Sequence, residues 1–325
     1  MSTAGLLLST SSRPVLFFYS LLMPELPEVE TVAQGLRKTI LGRTILSVRL
    51  GKTDFIDDPA ALEQHLPGRR IEAVDRYGKF MLLRLSRVAS QSASGPSQNG
   101  DSASAALLVH LGMTGQIGSL PAAQPPAKHT HVVMPLDDSR ELRYTDPRRF
   151  GRLAYLDDAL LAKELPRFGA DPLEISAADF VAQTCARRAR IKALLLDQSF
   201  LRGVGNIYAD EALWRAKIHP ARLASSISKP QAKLLHRALQ QILRKAIAMH
   251  GSSISDFLDA DGEPGWYQRQ HRVYDREGRP CSRCGKVIRR MLVAGRSSHF
   301  CPHCQPTPRG LAKQILHLLV RRTSK

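Results

Sequence analysis

Cysteine is scarce in this chain. There are five in 325 residues, and four of them fall between positions 281 and 304. Only Cys185 stands elsewhere, which excludes a disulfide framework spread over the chain and suits a protein kept reduced in the cytosol. Acidic residues are also short: 29 Asp+Glu face 47 Lys+Arg, a formal net charge of +18. Such a deficit of acid concerns polyanionic partners rather than fold, and nucleic acid is the obvious one. It does not separate an enzyme from a ribosomal or histone-like binder. Long apolar runs are missing as well. Nothing approaches the roughly 18 uninterrupted apolar residues of a membrane helix, so no membrane partner is expected. Residues 1–22 contain no acid and a single arginine. Arg13-Pro14 splits their apolar stretch and no small-x-small site precedes Met23, which argues against a secretory signal. Two accounts of this extension stand: a targeting presequence, or translation that starts at Met23.

What the chain does have is most concentrated at its other end. Cys281-x2-Cys284 and Cys301-x2-Cys304 are separated by sixteen residues. Two such knuckles bring four thiolates to one tetrahedral point, the geometry of a structural zinc ion, with two disulfides as the alternative. The segment between them is long enough for a β-hairpin and carries Lys286, Arg289, Arg290 and Arg296. A metal would staple a module too small to build its own core, and its basic hairpin points to nucleic acid.

Upstream, the pattern changes twice. Residues 23–155 open on an amphipathic helix, Glu28–Thr39, with Val29, Val32, Leu36 and Ile40 at three-to-four spacing. Short β-type runs follow at 44–50, 70–76, 80–85, 106–111, 131–134 and 152–155, separated by turn residues. That pattern predicts a β-sandwich. Residues 90–104, rich in Ser, Gly and Gln, read as a flexible inserted loop without chemistry. Residues 156–250 turn helical, with helices predicted at 177–185, 190–197, 207–215 and 229–250. Between the second and third lies Ser199-Phe-Leu-Arg-Gly-Val-Gly-Asn206. Its glycines allow close approach of a phosphate, and Asn206 is placed to cap the next helix. A DNA-binding helix-turn-helix and an ordinary helical hairpin both fit that stretch. Residues 251–305 form loops plus the zinc hairpin, and 306–325 a basic tail.

Met23-Pro-Glu-Leu-Pro-Glu-Val-Glu30 holds the most distinctive chemistry. A proline that follows an initiator methionine becomes, once the methionine is removed, a terminal secondary amine. An α-amino group titrates near pH 8, so part of it is unprotonated at neutral pH. Such an amine can condense with a sugar carbon to give an iminium, the strategy usually assigned to lysine. Glu25 stands beside it for proton transfer. Without that free terminus the segment is only a Pro/Glu-rich lead-in to a helix.

Seven motifs occur in order: MPELPEVE at 23–30, YGKF at 77–80, HLGMTG at 110–115, KHTH at 128–131, RYTDPRRFG at 143–151, GVGNIY at 203–208 and the CxxC pairs. Together they closely resemble bacterial formamidopyrimidine-DNA glycosylase, from Met23 to about Gln305. The ELPEVE opening and the RYTDPRRFG segment look like the purine-directed branch rather than the related endonuclease VIII glycosylases. The resemblance implies an α+β multidomain fold: an N-terminal β-sandwich flanked by helices, a helical helix-two-turn-helix domain and a C-terminal β-hairpin zinc finger. It implies base-excision repair of oxidised purines in duplex DNA, followed by cleavage of the abasic site through β,δ-elimination. The implied partner is double-stranded DNA carrying oxidised purines or abasic sites, with the protein acting as a monomer in the cytoplasm, associated with the nucleoid.

Residue by residue, Pro24 matches the nucleophile and Glu25 the acid/base. Lys79 matches the lysine credited with proton transfer and phosphate contact during β-elimination, and Arg296 the arginine linked to δ-elimination and phosphate binding. His129, Arg148, Arg188 and Asn206 match DNA-contacting positions. The Cys185–Lys192 segment is one residue shorter than the family pattern, so Arg187 and Arg190 compete with Arg188. Met113, Arg148 and Phe150 match the wedge that fills the gap left by an extruded base. Cys281, Cys284, Cys301 and Cys304 match the ligands of one structural zinc. Two rivals are a non-catalytic DNA-binding homologue, if residues 1–22 block the terminus, and an endonuclease VIII-like pyrimidine glycosylase.

Overall fold

A computed structural model of the chain describes residues 24–87, 104–254 and 257–308. The 1–22 extension, nearly all of the 90–104 insertion and most of the 306–325 tail lie outside the described residues.

The chain opens on α1 (Leu26–Ile40), which buries Val29, Val32, Ala33, Leu36 and Ile40 on one face. The spacing that predicted this helix is therefore its packing face. Each of the larger side chains, cut back to alanine, would cost about 2–5 kcal/mol. Two four-stranded antiparallel sheets then form a sandwich. One pairs β1 (Arg49–Leu50), β6 (Thr130–Pro135), β7 (Arg140–Thr145) and β5 (Gln116–Pro121) in that order. The other pairs β2 (Arg69–Tyr77), β3 (Phe80–Arg87), β4 (Ser104–His110) and β8 (Arg152–Asp157). The inner faces and α1 share one core that includes Leu36, Ile71, Met81, Leu83, Leu107, Val109, Leu142 and Tyr144. The outer face of the second sheet is covered too. Phe80, Leu82, Ala106, Leu108, Ala154 and Leu156 pack with Leu161 of α3 (Asp158–Glu164) and with Phe168. Burial on both faces explains why β3 and β4 read as nearly continuous apolar runs and not as alternation.

Four elements escaped the sequence pattern, α3 among them. Helix α2 (Pro59–His65) starts from an Asp58 cap whose side chain accepts the Ala61 N–H. The strands β5 and β7 carry too many polar, Gly and Pro residues to show an apolar period. The predicted 44–50 strand survives only as isolated bridges at Thr44 and Ile45 and the two residues of β1.

The helical region comprises α4 (Ala177–Ala186), α5 (Ile191–Leu196), α6 (Asn206–Arg215) and the long α7 (Lys229–Ala248). Helix α7 begins in a capping box, Ser228 with Gln231, and buries Leu235, Leu239, Ile242, Leu243 and Ala246. These side chains build a second core with Phe180, Leu194, Phe200, Tyr208 and Leu213. Arg76 of β2 crosses between the two regions, bonding Asp171 at 2.7 Å and Glu30 at 3.1 Å. The last region is a hairpin of β9 (Arg289–Val293) and β10 (Arg296–Phe300), in register from Arg296–Val293 to Phe300–Arg289.

Candidate active site and nucleic-acid interface

The start of α1, the Tyr77–Phe80 turn and the 203–206 turn converge. The Leu26 N–H donates to the Gly203 carbonyl at 3.0 Å. The Glu25 carboxylate, buried, accepts from the N–H of Ile207 at 2.9 Å and of Tyr208 at 3.4 Å. It thus occupies the amino end of α6, where unpaired N–H groups and the helix dipole favour an anion. The sequence placed Asn206 as the cap. The structure instead has Gly205 at the cap position and Asn206 as the first helical residue, because a carboxylate from the residue preceding α1 takes the capping role. The Asn206 side chain pairs with the Tyr274 hydroxyl, and its Oδ1 is buried without a partner.

Gly205 makes this approach possible. A Cβ there would lie 2.2 Å from Glu25 Cδ. Burial raises the Glu25 carboxyl above its ordinary value, while Lys79 and the two amides oppose the rise. Burial likewise pulls the Lys79 ammonium down; Glu25 opposes that, and Arg296 adds to it. An acid raised and an amine lowered within one buried site is the arrangement expected of proton-transfer groups near neutral pH. Pro24 sits half-buried directly before Glu25.

Glu28 is a further buried carboxylate that the motif comparison passed over. It accepts the Glu25 N–H at 2.9 Å, the Ser252 N–H at 2.7 Å and the Tyr208 hydroxyl. Burial, then the charge of Glu25, push its pKa up to about 7. Its place in the sequence as a polar residue of a helical first turn gave no sign of this network.

Arg296 opens β10, and two buried groups fix that strand to the helices. Lys192 Nζ donates to the Ser297 carbonyl at 2.6 Å and pairs with Asp210 at 2.6 Å, while the His299 N–H donates to Asp210 at 2.8 Å. Glu211 beside it accepts three successive amides, Arg272, Val273 and Tyr274. Neither Lys192 nor these two acids announced themselves in the sequence, since charged residues in helices usually face water.

The wedge candidates share a frame. Asp146 is fully buried and accepts the Thr114 hydroxyl at 2.5 Å, the Arg148 N–H at 3.2 Å and the Gly151 N–H at 2.8 Å. A Cβ on Gly112 would fall 2.3 Å from the Phe150 carbonyl carbon, so the HLGMTG and TDPRRFG loops lie in direct contact. Phe150 is 45% exposed, and the Arg148 guanidinium stacks over its ring at 4.5 Å. Met113 is half-buried and joins none of the cores. His129 is exposed in a left-handed backbone conformation, φ 69°. Of the three competing arginines, Arg187 is committed to stacking on Phe200 at 4.8 Å. The Arg190 backbone precedes α5 and bridges Leu223. Arg188 is exposed.

The four cysteines of the two knuckles each offer a sulfur, and all four sulfurs lie within 4.8 Å of one another. Ligands about 2.3 Å from a tetrahedral zinc would sit about 3.8 Å apart, so the cluster fits one ion with small adjustment. A zinc held by four protein thiolates has no open position for water, and its contribution is to fold the module.

Three family models match consecutive parts of the chain. They are the formamidopyrimidine-DNA glycosylase N-terminal domain over residues 23–153, its H2TH domain over 168–258, and the zinc finger found in FPG and IleRS over 278–307. The chain belongs to the formamidopyrimidine-DNA glycosylase family. Among curated relatives, the enzyme of Solibacter usitatus is 44% identical over 285 residues, covering 87% of this chain and 99% of its own. That of Herpetosiphon aurantiacus is 41% identical over 288 residues, 87% of this chain and its own full length. Among solved structures, the MutM (Fpg) protein of Thermus thermophilus is 40% identical with a TM-score of 0.73, covering 88% of this chain and 100% of that one. A MutM complex with DNA containing carbocyclic 8-oxo-G is 34% identical with a TM-score of 0.75, covering 87% and 100%. The family's three-part fold is present here: strand-rich N-terminal region, H2TH helices and hairpin zinc finger. Among the described residues no helix is long and apolar enough to cross a membrane.

Proposed function

We propose that the protein excises oxidised purines from duplex DNA and then cuts the strand at the resulting abasic site, working in the cytoplasm at the nucleoid. The observation that carries this reading is the buried Glu25 carboxylate, next in sequence to Pro24, seated on the amides of α6 and stabilised by the charge of Lys79. We further assign residues 23–155 to the catalytic region, 156–250 to the helix-two-turn-helix region and 251–305 to the zinc-finger region.

In the proposed reaction the Pro24 amine, freed at the terminus, attacks C1′ of the damaged nucleotide. Glu25 delivers a proton to the sugar, the bond to the base breaks, and a Schiff base remains on Pro24. The iminium acidifies the C2′ proton. Its loss expels the 3′ phosphate, and a second elimination expels the 5′ phosphate. Lys79 moves protons and, with Arg296, neutralises the phosphates that leave. His129, Arg188 and Asn206 grip the strand so that the lesion can be turned out, at a cost of a few kcal/mol. Met113, Arg148 and Phe150 fill the gap, with Arg148 facing the orphaned cytosine.

The test is reductive trapping. Borohydride added during reaction with a duplex containing 8-oxoguanine should join protein to DNA covalently, and Pro24→Gly should largely abolish the adduct. Full lyase activity in a protein whose native terminus is Met1 or Ser2 would defeat the assignment of Pro24. A panel including thymine glycol separates a purine from a pyrimidine substrate.

A further inference from the structure

Helix α6 ends against the first cysteine knuckle through one residue, Trp214. Its indole Nε1–H points to Cys281 Sγ at 3.4 Å. Among the described residues this is the sole side-chain N–H directed at a zinc-site sulfur. The same tryptophan is held from the other side by Arg283, which lies inside the knuckle. The Arg283 guanidinium stacks over the indole at 4.0 Å, and its Nη1 donates to the Trp214 carbonyl at 3.1 Å. Trp214 also packs on the small core of Val273, Cys281, Ile288 and Cys301. The ring is half-buried, so packing alone does not dictate an aromatic whose nitrogen faces the sulfur.

The charge at this site gives the contact its purpose. Four thiolates around a divalent ion carry two net negative charges, and Cys281 and Cys301 are almost wholly buried. Charge of that kind is stabilised by N–H donors around the sulfurs, and groups outside the ligand set orient the ligands and tune their hold on the metal. The backbone supplies several such donors, among them the Cys304 N–H to Cys301 Sγ at 3.4 Å and the N–H groups of Arg283 and Cys284 toward Cys281. For Cys281 the side-chain donor comes from α6, a different region of the fold.

We propose that Trp214 is an outer-sphere positioning residue of the zinc centre. Its indole N–H donates to the Cys281 thiolate, fixes that ligand and ties the metal to the helix whose other end seats Glu25. Arg283 clamps the indole in the orientation this requires. Phenylalanine at position 214 would keep an aromatic face for Arg283 and part of the packing, and would remove the N–H donor.

The native protein, purified and reloaded with NMR-active cadmium in place of zinc, offers a direct test. A scalar coupling between the metal and the Trp214 indole proton, transmitted through the sulfur, is expected in the fully loaded chain. Coupling from cadmium to the cysteine β-protons verifies that loading. With that in place, a missing indole coupling overturns this proposal and leaves the zinc assignment intact. The second measurement uses Trp214→Phe, with Trp266→Phe as control. Zinc should pass to a chromogenic chelator about tenfold faster from Trp214→Phe, and the sulfur-to-metal charge-transfer band of its cobalt form should move to longer wavelength. The control should match the parent in both. Equal release rates and unshifted bands in Trp214→Phe would show that the indole only packs.

Discussion

The carboxylate of Glu25 and the N–H of Ile207, 182 positions apart, are joined by a hydrogen bond of 2.9 Å. That bond links the residue before α1 to the first turn of α6, and Gly205 leaves the room for it. Gly205→Ala would drive a methyl group into the Glu25 carboxyl, since the added Cβ has only 2.2 Å to Cδ. The expected outcome is loss of base excision by about 10²-fold, as for a displacement of about 1 Å in a catalytic group, with zinc content unchanged. Single-turnover excision of 8-oxoguanine is the measurement. Excision within a factor of two of the parent would mean that Glu25 is not held where the reaction needs it.

Arg148 and Lys79 should fail in different ways. Arg148 lies over Phe150 on a loop held by Asp146, and it is assigned to the base opposite the lesion. Arg148→Ala should erode the preference for cytosine over adenine as partner. Lys79→Ala should instead slow strand cleavage and weaken all duplexes alike. Excision rates against each opposite base decide the matter, and an unchanged preference in Arg148→Ala would place the wedge on another residue.

Removing one thiolate should unfold the zinc module. Cys301 has no exposed surface and sits among Val273, Cys281 and Ile288. Cys301→Ser should lose the metal and, with the hairpin that carries Arg296, affinity for lesion DNA. Elemental analysis alongside a binding titration checks both. Full DNA affinity in the metal-free variant would contradict the prediction.

Glu211 gives a pH signature. Burial pushes its carboxyl up to about 7, against three backbone amides that favour the anion. The native state therefore holds a proton that the unfolded chain releases near pH 4.5. Between those values the unfolded state binds fewer protons, so this group's contribution to stability falls as pH rises. Glu211→Gln keeps an acceptor for the amides of Arg272, Val273 and Tyr274 and abolishes the titration. Its stability relative to the parent, followed through Tm, should climb between pH 4.5 and 7, by about 3 kcal/mol at most. Parallel Tm curves for the two proteins across that range would refute the assignment.

The zinc knuckles, the sandwich and the helical turn were legible because each leaves a local mark: fixed cysteine spacing, strand-length apolar runs, paired glycines beside an asparagine. What stayed hidden is set by long-range pairing. Glu25 caps α6 from the far end of the chain, which displaces Asn206 from the role its type suggested. Asp210 and Lys192 are 18 positions apart on different helices and meet only where the hairpin docks. Polar strands such as Arg140–Thr145 owe their place to neighbours on both sides, not to a period of their own.

Asp146 has a consequence for how this surface can change. It grips the two loops chiefly through main-chain N–H groups and one threonine hydroxyl, leaving the side chains of Met113, Arg148 and Phe150 outside the grip. The mount is thus separate from the tips it carries. On the wedge role proposed above, tips can be exchanged, by drift or by engineering, to suit a different orphaned base, while the mount and the core beneath it stay as they are. A change at Asp146 itself would displace all three tips at once.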